Sequence, residues 1–481
     1  MVNIGESAKD YEPYVGQKKV ISKEILPDFS TDIPEPEPQV TNTYLDGVEI
    51  VLPNEIVVTK SDRLQLFYRD IVTMFNPYNL EVACFCSVGT PYPRYFEYKP
   101  ANDLSTPSTF TLTVLVYDNA HRIIDQKTTS IKVVANATSP SANKNIMLIG
   151  ASTLAGGEIV NELNRRFNTI TGDGTYYNPT GLGLNNISFV GRKTTSVTGV
   201  NQEAMSGWRW KDYATIGRYA YRFYVNGQVG INVKPGDVYS GAGTLKFTVS
   251  NSDIDIDETT GTGYFTCTYE GSGTQPASGT LTLFSGEGDA TVTYESFSLD
   301  SGNPFWDDTN SQLDFTTYIN TYCGSQLDYL VSYLGINDIF AEVTPYETRE
   351  TYIKPFLRAL HTQSPSTKVI ICNLHIPSPY GGMGTSYGGR GSTYWNKCAK
   401  FFDYIKALNE LENDAEFSDW VSVCSSFQEF DGENLYPEST TRTVCNRSEK
   451  LGNVQTNGMH PTEEGKKAIA DSIYHKLTQI L

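Results

Sequence analysis

The run Asn145-Ile-Met-Leu-Ile-Gly-Ala-Ser-Thr-Leu154 decides how this chain is read. Its apolar stretch has the composition of a strand covered on both faces; it stops at the small residues Gly150 and Ala151, delivers the hydroxyl of Ser152, and gives way to a helical pattern. A buried parallel strand that hands one hydroxyl to the start of a helix is a common mount for a nucleophile, and Ser152 is the candidate. Two later segments bear on the same reading: Leu334-Gly-Ile-Asn-Asp338, which closes another apolar run, and Asn457-Gly-Met-His-Pro461, just ahead of the last helical pattern. The reading requires all three to meet in space.

Outward from this run, apolar strands alternate with helical patterns. Strands are expected at about 145–151, 187–191, 327–334, 368–374 and 420–425, and helices near 156–168, 211–223, 314–323, 347–363, 395–412 and 463–480. Five parallel strands covered on both faces predict a three-layer α/β/α domain over residues 144–481, with its reactive loops at the strand carboxyl ends beside the switch in strand order. Residues 228–300 break the rhythm. Their alternation, as in Thr244-Leu-Lys-Phe-Thr-Val249, and their Gly/Ser/Thr turns predict a β-rich insertion that serves as a cleft wall, a glycan platform or a plain structural module.

Upstream, residues 1–41 read as an extended arm ending in the proline-rich linker Thr31-Asp-Ile-Pro-Glu-Pro-Glu-Pro38. Residues 42–138 hold short alternating runs at 48–52, 63–68, 80–86, 110–117 and 128–134, separated by Pro, Asn, Asp and Gly clusters. That spacing predicts an antiparallel, immunoglobulin-like β-sandwich, without the Cys-Trp-Cys pattern of true immunoglobulin domains. Cys84 and Cys86 have strand spacing and are expected as buried thiols on one face.

A chain of 481 residues has room for several such modules. With 37 Lys and Arg against 55 Asp and Glu, its net charge of -18 is a poor match to nucleic acid, so neutral partners fit better. No signal-peptide pattern is visible in Met1–Val20 and no run reaches transmembrane length. The expectation is an extracellular or virion-associated protein without membrane association, its arm mediating homo-oligomerisation or virion attachment. The eight Cys lack paired CxxC spacing, so no zinc cluster is expected.

Serine is a weak nucleophile at neutral pH and needs a base within hydrogen-bond reach and donors for the oxyanion that forms on attack. Five histidines are available. His121 falls in the predicted sandwich, and His361 and His475 fall on helices. His460, in the loop before the final helix, is the leading candidate base, and His375, after the fourth strand, is the runner-up.

Gly150-Ala-Ser152, Ser206-Gly-Trp208, Gly335-Ile-Asn-Asp338 and His460-Pro461 follow one another at the ends of successive predicted strands. Together they resemble the four blocks of the SGNH (GDSL-type) hydrolases over about residues 145–480, and Pro304-Phe-Trp-Asp307 resembles the carbohydrate-esterase branch. The resemblance implies that Ser152 attacks an ester carbonyl, that the backbone N–H groups of Ser152 and Gly207 and the side-chain amide of Asn337 hold the oxyanion, and that His460 shuttles the proton. It implies no metal and no cofactor. The substrate implied is an acylated carbohydrate; Trp208, His375 and Trp306 are candidate binding residues, with burial in the core as the alternative for the two tryptophans.

Two positions depart from the family pattern. Ala151 stands where an aspartate is usual, which removes no catalytic atom. Asn457 stands three residues before the base, where the family places an acid. An amide cannot stabilise imidazolium as a carboxylate does. Three readings stay open: a Ser-His dyad helped by a carbonyl, a carboxylate supplied from elsewhere, or a weakened site. The functional expectation is therefore a short-chain, carbohydrate-directed serine esterase. The alternatives are a glycan-binding or structural module, as in a phage tail, with little activity, and a lipase or thioesterase on the same scaffold.

Overall fold

The computed structural model describes residues 47–74, 80–100, 104–215, 220–257, 259–300, 303–307, 309–341, 343–378, 392–443 and 447–481. The expected arm and linker, and most of the Gly/Tyr-rich stretch after Pro377, lie outside these residues.

The strand that carries Ser152, Lys144–Gly150, sits inside a sheet of seven strands among the described residues, rather than the five expected. On one side it pairs in parallel with Tyr329–Tyr333, followed by Lys368–Cys372 and Val421–Cys424, also parallel. Its other edge is shared by two parallel strands: Ile187–Val190 pairs with the first half, through Lys144↔Ile187 to Met147↔Val190, and Asn201–Ala204 with the last two residues. Lys193–Thr194 adds an antiparallel partner to Asn201–Ala204, which makes the sheet mixed. The split edge follows from Gly191, whose φ of 147° turns the chain out of the first strand so that it re-enters as the second.

Ile146, Met147, Leu148 and Ile149 are all 1% exposed or less, as a central parallel strand covered on both faces requires. Chain order places Lys144–Gly150 between the strands that follow it on either side, so its carboxyl end opens at a topological switch point. Helices Glu158–Asn168 and Glu463–Ile480 pack on each other through Phe167 and Tyr474, whose ring centroids are 4.8 Å apart. The helices Phe315–Tyr322 and Lys354–Gln363 meet through Phe315 and Phe356 at 5.0 Å. Among the described residues no helix is long and apolar enough to cross a membrane.

The helix expected over 211–223 ends early. Helix Trp210–Ala214 is followed by the strand Ala220–Val225, in which Phe223 and Val225 are buried and Tyr224 between them is exposed. That alternation belongs to a sheet, and it moves the start of the insertion from 228 to 220. Among the described residues the insertion is a seven-stranded antiparallel sheet in the order Thr291–Tyr294, Gly279–Ser285, Val238–Ser240, Lys246–Asp257, Thr262–Glu270, Ala220–Val225, Ser296–Asp300. It has its own core, which includes Phe223, Tyr239, Phe247, Phe265 and Tyr294.

Among the described residues the N-terminal β region has a four-stranded sheet, ordered Glu55–Thr59, Ile123–Val134, Ser108–Tyr117, Glu81–Cys86, and a three-stranded one, ordered Leu64–Phe67, Tyr95–Tyr98, Thr90–Pro91. Its pairing is not wholly antiparallel, because Glu55–Thr59 runs parallel to Ile123–Val134. The expected strand at 48–52 is reduced to a bridge between Ile50 and Val72, and the β-branched run after Pro53 takes the sheet position instead. Cys84 is buried, which pushes its thiol up to about 12, whereas Cys86 is only half-buried.

Residues of this region and of the α/β domain belong to one continuous core, so the boundary at 138/144 is a feature of chain course and not of packing. A buried ionic cluster ties the two. The Arg166 guanidinium, 2% exposed, donates to Asp62 at 2.6 Å and to Asp471, and lies 3.8 Å over the Tyr474 ring. His475 Nε2 sits 3.2 Å from the same Asp62 carboxylate. Replacing Arg166 by leucine takes the shared cation from two carboxylates and should cost about 3–5 kcal/mol. Urea unfolding checks this: an unchanged midpoint would show that the cluster does not depend on the guanidinium.

Candidate active site

The strand Lys144–Gly150 must turn sharply to present Ser152. A side chain at Gly150 would come within 2.8 Å of Leu154 Cβ, so only glycine lets the strand end pass this close to the helix that follows. Ala151 is extended, and Ser152, half-buried, opens the short helix Ser152–Ala155.

His460 meets it from the other end of the chain. Its Nε2 lies 2.8 Å from Ser152 Oγ. The loop that carries it is shaped by Asn457, whose Oδ1 accepts the backbone N–H groups of Met459 and His460, both at 3.0 Å. Thr462 then caps the final helix by accepting the Gly465 N–H at 3.2 Å.

Those two backbone donors fix which way the Asn457 amide faces. Its oxygen is occupied, so its Nδ2 is the atom 3.2 Å from His460 Nδ1. An amide N–H donates there, which leaves Nδ1 as acceptor and places the imidazole proton on Nε2, facing Ser152. In that tautomer the ring donates to the serine hydroxyl and must shift its proton before it can act as base. Burial, and after it the positive charge of Lys466, hold the His460 pKa below the ordinary histidine value. Protonated His460 therefore appears only as pH falls through that lowered value, and the ring is neutral at pH 7. A ¹³C-detected titration should place its midpoint below that of free histidine, and Lys466→Gln should move it up; a midpoint at or above the free value would contradict this electrostatic account.

The second block follows Asn201–Ala204, whose last residue is in register with Gly150. Met205 to Trp208 close a turn through Trp208 N–H to Met205 O at 3.2 Å, with Gly207 left-handed at φ 76°. The third block is joined to it, because the Asn337 amide donates to the Trp208 carbonyl at 2.9 Å. Gly335, at φ 130°, is required, since a Cβ there would collide with the Tyr404 ring.

Ser152, His460 and Asn457 are thus brought together, and the turn of Gly207 is linked to Asn337. The three expected binding residues fare differently. The Trp208 ring is 5% exposed and packs edge-on against Tyr213 at 4.8 Å, so it belongs to the core rather than to a sugar platform. His375 is wholly buried with both ring nitrogens engaged, and is neither base nor substrate contact. Trp306 is half-buried in the hairpin Trp306–Asp307/Gln312–Leu313, packed against the core.

No family model matches this chain, and no curated protein matches it. Several solved structures do. A carbohydrate esterase family 3 protein from Talaromyces cellulolyticus matches at 11% identity over 70% of this chain and 97% of its own, with a TM-score of 0.32. Est24, a carbohydrate acetylesterase from Sinorhizobium meliloti, matches at 12% over 70% of this chain and 100% of its own, with a TM-score of 0.29. A family two carbohydrate esterase from Clostridium thermocellum matches at 10% over 87% and 90%, with a TM-score of 0.28. At such identities and scores the likeness carries no chemical argument, and the chemistry rests on the geometry of the loops.

Asp338 is a residue that sequence reasoning passed over. It is 1% exposed, accepts the Trp210 N–H at 3.2 Å, and its carboxyl is pushed up to about 7 by burial, against the Trp210 hydrogen bond, with the nearby Asp212 charge adding to the rise. It fastens the segment after Gly207 to the block that carries Asn337. Its position beside Asn337 was the only signal available. Among the described residues no three His, Cys, Asp or Glu side chains converge as metal ligands.

Proposed function

We propose that the protein is a serine ester hydrolase of SGNH type that removes short acyl groups, acetyl above all, from a carbohydrate. The observation that carries this reading is the 2.8 Å contact between Ser152 Oγ and His460 Nε2 at the switch point of the central sheet. Ser152 attacks the ester carbonyl while His460, once its proton has shifted to Nδ1, takes the hydroxyl proton. The N–H groups of Ser152 and Gly207 and the Asn337 amide are the assigned donors to the oxyanion. His460 returns the proton to the leaving sugar hydroxyl, and water then releases the acid from the acyl-serine.

A second reading, a glycan-binding module with little turnover, is favoured by one observation: the Asn457 amide holds the base in its non-accepting tautomer. One assay separates the two. The purified chain should hydrolyse 4-nitrophenyl acetate faster than the octanoate and release acetate from O-acetylated xylan and O-acetylated glucomannan. Binding of those polymers without acetate release would favour the module, and a preference for octanoate would favour the lipase alternative.

A further inference from the structure

We infer that Tyr333 and His375 form a positioning pair that sets the placement of His460, a role that rests on the esterase reading for its kinetic consequence but not for its structural one. Tyr333 is the last residue of its strand and stands in register with Gly150, two residues before the nucleophile. Its hydroxyl accepts the His375 backbone N–H at 3.2 Å and lies 2.5 Å from His375 Nδ1, with the two rings parallel within 7°. The other ring nitrogen, Nε2, faces the Met459 carbonyl, which can only accept, so the neutral imidazole carries its proton on Nε2 and the Tyr333 hydroxyl donates to Nδ1. That Nε2–H donates to the Met459 carbonyl at 2.9 Å.

The Met459 carbonyl belongs to the peptide that joins Met459 to His460, and the N–H of the same peptide is taken by Asn457 Oδ1 at 3.0 Å. The peptide that carries the base is therefore clamped on both edges, by His375 from the loop after Lys368–Cys372 and by Asn457 from its own. One residue earlier, the Gly458 carbonyl accepts the Ser378 N–H at 3.0 Å. Tyr333 thus measures the base loop from the same sheet rung that presents Ser152. Burial lowers the His375 pKa to about 4, offset in part by the Met459 bond and reinforced by the His460 charge. The ring is neutral across the working range, so its contribution is geometric.

The test uses His375→Leu, which removes the donor, His375→Gln, whose amide can replace it, and Tyr333→Phe, which frees the imidazole to change tautomer. Each is measured for kcat and KM on 4-nitrophenyl acetate and for the His460 ¹³Cε1 titration. Expected for His375→Leu is a fall in kcat of about 100-fold with KM within about twofold, the loss that a displaced catalytic group produces. Its His460 midpoint should shift, and His375→Gln should return both readouts toward wild type. Tyr333→Phe should show a smaller loss in the same direction, and it decides the matter if His375→Leu does not fold. Folded His375→Leu or Tyr333→Phe protein with wild-type kcat and an unmoved His460 titration overturns the clamp. If the wild type itself turns over no ester, the esterase reading fails while the titration alone still decides whether the pair positions His460.

Discussion

Asn457→Asp should raise kcat for acetyl-ester hydrolysis by about 10² or more, with about 10⁴ as the ceiling that the converse change at a catalytic triad sets. The substitution changes one atom group. Oδ1 still accepts the Met459 and His460 N–H groups, so the loop keeps its shape, and the group 3.2 Å from His460 Nδ1 becomes an acceptor in place of a donor. The imidazole proton then belongs on Nδ1, and Nε2 faces Ser152 with its lone pair. A carboxylate also favours imidazolium, so the sign of the pH effect is set: the His460 midpoint rises from its lowered value, and the acid limb of kcat/KM moves to higher pH. An unchanged rate in a folded variant would mean that the tautomer is not what limits the wild type.

Ser152→Ala removes the only atom on which the acyl group is carried. In the Asn457→Asp background, where the proposed base is fully engaged, the expected loss is about 10⁴- to 10⁶-fold, the scale seen when a serine hydrolase is stripped of its nucleophile. In the native background the loss is smaller in ratio, because the starting rate is lower. A fluorophosphonate probe should add one adduct, on the peptide bearing Ser152, and none to the alanine variant. Labelling elsewhere, or turnover retained by Ser152→Ala, would remove Ser152 from the mechanism and with it the meaning of the His460 contact.

The two effects differ in how far each could be foreseen. Ser152, Asn337 and His460 stand out because each sits where a local pattern changes: an apolar strand ending in small residues, a second one ending in Gly335, and a proline just ahead of the last helix. The β-rich insertion was legible for the same reason, through alternation over short distances, though its first strand was hidden. Ala220-Tyr-Arg-Phe-Tyr-Val225 lies next to a genuine helical turn, and only its pairing with Thr262–Glu270 and Ser296–Asp300, up to 80 residues downstream, makes it a strand. His375 shows the converse error. A histidine after a strand end reads as a cleft residue, yet Tyr333, Phe430 and Tyr436 close around its ring from separate parts of the chain.

By itself the sequence determined which residue types stand at the strand ends and that an amide, Asn457, stands three residues before His460, since these are matters of local order. Only the tertiary structure decided which face of that amide meets the imidazole, that His375 is buried with its Nε2 against the Met459 carbonyl, and that the N-terminal β region shares the α/β core. The physical reason is common to all three. Hydrogen-bond direction and burial depend on groups brought together from distant positions, such as the Met459 carbonyl with His375, or Arg166 with Asp62, and no periodicity within a segment encodes them.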